Sequence, residues 1–298
     1  MKLFKKILAA GLVAAMSLSV MGCGGKDETA NSDDVISAGE TEMTNDSQSD
    51  ESSTGGVITF GTNAEFPPFE YVSSNGVIDN FDGIDMAIAK EIASQNGSTA
   101  AINNMEFDSL LLALQNGQVD AVIAGMTITD ERKETVDFSI PYYTATQVMI
   151  VKEDSDIKSA ADMADKKIVV VQGYTGETCV KELGYKYEAF KKGSETILEL
   201  INGKCDVVVI DSATAEKYVG DNEGIKIVED NTAFEAEEYG IAVKKGNTEL
   251  LNKINTAIQS MLDDGTIGDI AAEYLDADSS DGSDESASAG EASITDAE

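Results

Sequence analysis

Short runs of β-branched residues alternate with segments of helical periodicity through the whole middle of the chain, and this alternation restricts the fold more than any other feature. Strands separated by helices need crossover connections, so the expected architecture is α/β with largely parallel sheets. Val57 to Thr62, Val119 to Ala124, Ile168 to Gln172 and Val207 to Ile210 read as strands. Helices are expected where apolar residues recur on one face: Ile84, Ile88 and Ile92; Leu110, Leu111 and Leu114; Ile197, Leu198 and Ile201; Leu250, Leu251, Ile254, Ile258 and Met261. These stripes are read as core. Gly97, Gly117, Gly203 and Gly265 each follow one of them and suit left-handed helix ends.

The two ends differ in kind from the middle. Lys2, Lys5 and Lys6 precede an apolar run from Ile7 to Val20, the pattern of a secretory signal and too short for a stable membrane span. Residues 1–22 are therefore expected to be a signal peptide. Residues 23–54 and 276–298 are small, polar and acidic, and cannot bury enough surface to offset their ordering entropy. A disordered acidic stalk and a disordered acidic tail are expected there. Between them lie roughly 220 residues, enough for one large domain or two smaller ones.

Composition excludes several chemistries. A net charge of −34 argues against binding a phosphate backbone, so nucleic acid is not expected as a partner. Histidine is absent, which removes His-based metal sites, Ser-His-Asp triads and Cys-His nucleophiles. No glycine-rich nucleotide motif is present, and neither a metal nor a cofactor is expected. Cys179 falls early in a predicted helix and Cys205 at the start of a strand, and a disulfide between them is not expected. Gly173-Tyr174-Thr175-Gly176 lies between a strand and a helix, where free N–H groups could meet an anion or the chain could simply turn.

Several stretches in one order carry a family resemblance. Val20-Met21-Gly22-Cys23 resembles the bacterial lipoprotein box, which implies acylation of Cys23. Gly61 to Tyr71, then Phe81-Asp82-Gly83-Ile84-Asp85, then Gly125-Met126-Thr127-Ile128-Thr129-Asp130-Glu131-Arg132 open the series. Asp137 to Tyr143, Gln172 to Gly176, Val209-Ile210-Asp211 and Glu238 to Ala242 complete it. Over about residues 55 to 275 the chain resembles bacterial extracellular solute-binding family 3, the polar amino-acid-binding proteins of ABC importers. The resemblance implies a two-lobed periplasmic-binding-protein-like fold of type II. Its first lobe would be discontinuous, 55–147 plus 238–275, with a second lobe, 148–237, inserted. Two crossing strands, near Thr146 to Val151 and near Tyr239 to Val243, would form the hinge.

A free amino acid is a zwitterion, so a dry pocket must offer a cation to its carboxylate and an anion to its ammonium. By the resemblance these are Arg132 and Asp211, though Arg132 could be a solvated helix-start residue and Asp211 a helix N-cap. Phe66 and Phe107 would sandwich the ligand side chain, with core packing as the competing account for each. Thr127 and the backbone of Gly125 would bond its carboxylate, and Thr175 would reach in from the second lobe. Asn63 stands where relatives often place an Asp against the ligand side chain. Glu65 is read as a surface residue, Tyr142, Tyr143 and Glu238 as structural. The expectation is a monomeric, lipid-anchored extracytoplasmic protein without catalysis. It would pass a polar or cationic L-amino acid to a permease with its cytoplasmic ATPase. Its rivals are a cyclohexadienyl dehydratase-like enzyme, for which Glu65 is the candidate acid, and an amino-acid sensor.

Overall fold

The structure, a computed structural model, describes residues 55–276. The expected signal peptide, Cys23, the stalk and residues 277–298 of the tail lie outside the described residues. None of the described helices is long and apolar enough to cross a membrane.

Two sheets organise the chain. The first has strands in the order Thr99–Asn104, Val57–Thr62, Ala121–Val122, Ala242–Lys244, Val136–Phe138. Its first three strands are parallel, and Ala242–Lys244 runs antiparallel to both its neighbours. The second follows the order Tyr187–Phe190, Ile168–Val171, Val207–Asp211, Tyr143–Lys152, Ile225–Val228. Again the first three are parallel and the fourth is antiparallel to both neighbours. In each sheet the antiparallel fourth strand is the one the chain builds on arriving from the other sheet.

The chain leaves the first sheet after Phe138 and returns at Ala242. Its two crossings run side by side, Tyr143 to Thr146 pairing antiparallel with Ala236–Tyr239. The link thus lies a few residues before the stretch Thr146 to Val151 expected from the resemblance. Residues 147–151 are instead held in the second sheet, with Gln147 to Val151 against Asp211 to Val207 on one side and Met149 to Val151 against Val228 to Lys226 on the other.

Period-two alternation explains why the second sheet reads as unbroken apolar runs. Val148, Ile150, Val169, Val171, Val208 and Ile210 join the larger core, while Met149, Val151, Ile168, Val170, Val207 and Val209 face a separate cluster that includes Val180 and Phe234. Both faces are covered, as parallel sheets require. On the helices the outcome is narrower than expected. Helix Ile84–Gln95 buries Ile84, Ile88 and Ile92 completely. Helix Gly193–Ile201 instead packs through Gly193, Thr196, Ile197 and Leu200, which turns Leu198 and Ile201 outward, at 57% and 38% exposure. The reason is helical geometry, since residues at i, i+3, i+4 and i+7 share one stripe. The glycines expected at helix ends, Gly97, Gly117, Gly203 and Gly265, all have positive φ.

The expected strand Val119 to Ala124 is cut to Ala121–Val122. Ile123 still donates to the Gly61 carbonyl at 3.0 Å, but Gly125 at φ +50° turns the chain away. That turn begins the site.

Candidate ligand-binding cleft

Parallel strands deliver their C-terminal ends to one edge, where open α/β sheets place ligands. Val57–Thr62 leads to Phe66, Ala121–Val122 to Gly125 and Thr127, Ile168–Val171 to Tyr174 and Thr175, and Val207–Asp211 ends on Asp211 itself. A narrow cleft is lined by Phe66, Phe107, Ala124, Gly125, Thr127, Arg132, Tyr174, Thr175 and Asp211. Arg132 and Asp211, carried by different sheets, thus border one cavity.

Arg132 sits on the short helix Asp130–Lys133, started by Thr129, whose hydroxyl accepts from the Arg132 N–H at 3.2 Å. Its guanidinium donates from Nη1 to the Thr127 carbonyl at 2.6 Å and from Nη2 to the Gly173 carbonyl at 3.0 Å. The second bond reaches a turn of the second sheet. The cation also lies 5.3 Å from the centre of the Phe107 ring, within the range at which an aromatic face attracts it. Two of a guanidinium's five N–H donors are used in this way, leaving others for an anion. Burial lowers its pKa and Glu237 and Asp211 raise it, and an arginine stays charged throughout.

Asp211 precedes helix Ser212–Asp221 but does not cap it by a side-chain bond. Its Oδ1 accepts from the Tyr239 hydroxyl at 2.6 Å. Burial raises its pKa to about 7, Glu237 adds to the rise, and the bond from Tyr239 opposes it. A buried carboxyl poised in this way gains most from a cation placed beside it.

Thr127 and Thr175 face each other across the cleft, and both hydroxyls are engaged. Each donates to Glu237 Oε2, at 2.8 Å and 2.7 Å, and Thr175 Oγ1 accepts from Gln147 Nε2 at 3.1 Å. A hydroxyl has one hydrogen to give, so neither offers a donor to a carboxylate while Glu237 holds it. The carboxylate bond expected of the Thr127 hydroxyl thus competes with its bond to Glu237, and the Gly125 N–H expected beside it is bonded to Asp85.

Gly125 is the tightest point of the first wall. A Cβ there would lie 2.5 Å from Phe66 Cε1, and φ is +50°. Its N–H donates to Asp85 Oδ2 at 2.7 Å, and the Tyr142 hydroxyl donates to both Asp85 oxygens at 2.9 Å. Burial pushes Asp85 up to about 6, while Gly125 and Tyr142 pull it down. Glu70, fully buried beside it, is held well above the usual carboxylate range by burial and by Asp85. The glycine is therefore fixed from beneath by a buried acid and from above by an aromatic ring.

The opposite end is aromatic. Tyr174 packs edge-on against Phe66, with centroids 5.2 Å apart, and against Phe107, at 4.6 Å. Its hydroxyl donates to Asn63 Oδ1 at 3.2 Å, and Asn63 Nδ2 donates to the Met105 carbonyl at 3.0 Å. Asn63, expected against the ligand side chain, is not among the residues that line the cavity, and its amide is bonded to these two partners. Glu65 is not free surface either. Its Oε1 pairs with Lys192 Nζ at 2.6 Å, joining the two walls at the rim.

Tyr174, Gln147, Glu237 and Tyr239 escaped the reading of the sequence as site residues. The first adjoins Thr175 in the quoted motif and could have been found there. Glu237 and Tyr239 come from a crossing strand and Gln147 from the second-sheet strand that follows the other crossing, paths that only the fold defines. Cys179 and Cys205 are free, and burial pushes each thiol up to about 12, so neither is an activated nucleophile. Among the described residues no cluster of acids and cysteines could hold a metal.

Two like sheets joined by paired crossings, with a cation and an anion meeting between them, define a two-lobed solute-binding protein. Residues 58–277 match bacterial extracellular solute-binding proteins, family 3, and the chain belongs to that family. It is 34% identical to a probable histidine-binding protein of Neisseria gonorrhoeae, over 91% of this chain and 96% of that one. It is 32% identical to ABC transporter arginine-binding protein 1 of Escherichia coli, over 73% of this chain and 90% of that one. A crystal structure of an ancestral amino acid-binding protein, described as a precursor of cyclohexadienyl dehydratase, matches with a TM-score of 0.68. Its identity is 35%, over 74% of this chain and 96% of that one.

Proposed function

We propose that this protein is the extracytoplasmic substrate-binding component of an ABC amino-acid importer. The observation that carries the reading is the pairing of Arg132 with Asp211 across one cleft, each from a different sheet. A zwitterion answers both at once. Its carboxylate takes the remaining guanidinium donors, and its ammonium takes Asp211, whose raised pKa marks a carboxylate in want of a cation.

Because the ligand bridges the two walls, it stabilises the closed arrangement over any opened one. The paired crossings, 143–146 and 236–239, are where such a motion would hinge. Capture therefore changes the shape presented to a permease, with no bond made or broken. Phe66, Phe107, Gly125, Thr127 and Thr175 shape the cleft around the ligand. Acylation of Cys23 would tether the protein to the outer face of the membrane. Replacing Cys23 with Ala then releases it, and full retention of that variant on membranes would refute the anchor.

A dehydratase needs an acid poised in the cleft. Glu65 is paired with Lys192 outside the cavity, and Asp211 is the only carboxyl among the cavity-lining residues. Titration calorimetry with the twenty common amino acids is expected to give tight one-to-one binding of at least one. Mass spectrometry is expected to recover that ligand unchanged. Absence of binding by folded protein, or conversion of the ligand, overturns the reading.

A further inference from the structure

We infer that Tyr174 limits the length of the ligand side chain, so that the cleft prefers glycine, alanine, serine, cysteine or threonine over arginine, histidine or glutamine. This rests on the amino-acid-binding reading above and narrows it. The resemblance implies that a ligand side chain lies between Phe66 and Phe107, and the Tyr174 ring touches both of them, at 5.2 Å and 4.6 Å. The ring is no loose surface group. It is 5% exposed, follows Gly173 at the start of helix Thr175–Glu182, and is tied through its hydroxyl to Asn63.

A side chain that extends past its first few atoms must therefore displace a packed ring and break its hydrogen bond. Close-packed interiors do not absorb such additions without strain. In a filled pocket each surplus methylene costs roughly 10- to 200-fold in affinity.

The limit is one of length and not of charge. Asp211 is the one carboxyl lining the cavity, and the ligand's own ammonium uses it, while Glu70 and Glu65 stand close enough to the Tyr174 hydroxyl to act on it. The sequence alone suggested a polar or cationic ligand, and the packed Tyr174 ring shifts the expectation to a short one.

The test is calorimetry of purified full-length protein, as wild type, Tyr174→Ala and Tyr174→Phe, against the eight amino acids named. In the wild type at least one short ligand is expected to bind about tenfold or more tighter than all three long ones. Tyr174→Ala is expected to tighten the best long ligand by about tenfold or more, while Tyr174→Phe, which keeps the ring, retains the short preference. A wild type that binds arginine, histidine or glutamine as tightly as any short ligand refutes the limit but leaves amino-acid binding standing. So does an unchanged ranking in folded Tyr174→Ala. Should that variant not fold, the wild-type ranking decides. If folded wild type binds none of the eight, the limit falls, and failure to bind all twenty removes the underlying reading as well.

Discussion

The two sheets share one strand order, yet the walls they present to the cleft are held in different ways. The first wall is braced internally. Gly125 is bonded to Asp85, Asp85 is bonded by Tyr142, and the Phe66 ring closes over the glycine. The second wall takes its support from outside itself. Asp211 accepts from Tyr239 of a crossing strand, and Thr175 donates to Glu237 of the same strand. Tyr239 also bridges to Thr127 of the first wall. The crossing strand thus touches both walls, and the contrast lies between Gly125, preformed within its own wall, and Asp211, whose carboxyl is held from a crossing strand.

The largest expected effect lies in the charge pair that joins the walls. Arg132→Ala and Asp211→Ala should each weaken amino-acid binding by about 3 to 5 kcal/mol, since each leaves one ligand charge buried and unanswered. Calorimetry measures this, and losses below about 1 kcal/mol would place both residues outside the ligand's reach.

Next comes the preformed wall. Gly125→Ala puts a methyl into the Phe66 ring at a positive φ, and should cost about 1 to 3 kcal/mol of stability in urea unfolding along with ligand affinity. Asp85→Asn should cost a similar 1 to 3 kcal/mol by disturbing buried hydrogen bonds. If either variant matched the wild type in both assays, the brace would be an illusion of packing.

The second wall should be the pH-sensitive one. Asp211 is raised to about 7 in the folded chain, so the native state holds this proton more tightly than the unfolded chain does. Its contribution to stability is full below about pH 4 and is lost as pH rises towards 7. The ligand's ammonium reverses the preference and favours the ionised form. Affinity should therefore weaken by up to about tenfold per unit as pH falls below 7, with proton release on binding. Calorimetry from pH 5 to 8 in two buffers of different ionisation enthalpy tests this, and a flat profile would contradict it.

The smallest effect belongs to the rim. Lys191 pairs with Asp108 and Lys192 with Glu65, both at 2.6 Å and both partly exposed. Replacing both lysines with alanine should weaken binding by about threefold or less, and the difference should shrink in high salt. A salt-independent loss larger than that of Arg132→Ala would invert the ranking of the contacts that hold the walls together.

Much of the cleft could be read before the fold was known, for reasons that differ by residue. Arg132 and Asp211 were implied by the family resemblance, and the two charges of a zwitterion gave that implication a physical reason. Gly125 stood in a motif, and its positive φ explains why nothing larger can occupy it. Asn63 was expected against the ligand side chain, and only the fold shows its amide bonded to Met105 and Tyr174, 42 and 111 positions away. Glu237 was passed over because its partners Thr127 and Thr175 lie 110 and 62 positions away.

By itself the amino-acid order determined the α/β alternation, the helix ends and the kinds of charge available, because these depend on neighbours within a few turns of chain. Only the tertiary structure decided which hydroxyls are already committed, how the second wall is braced and that an aromatic ring stands where a ligand side chain was expected. Those outcomes depend on donors, acceptors and rings brought together from distant parts of the chain, and a linear pattern carries no record of which partner reaches them first.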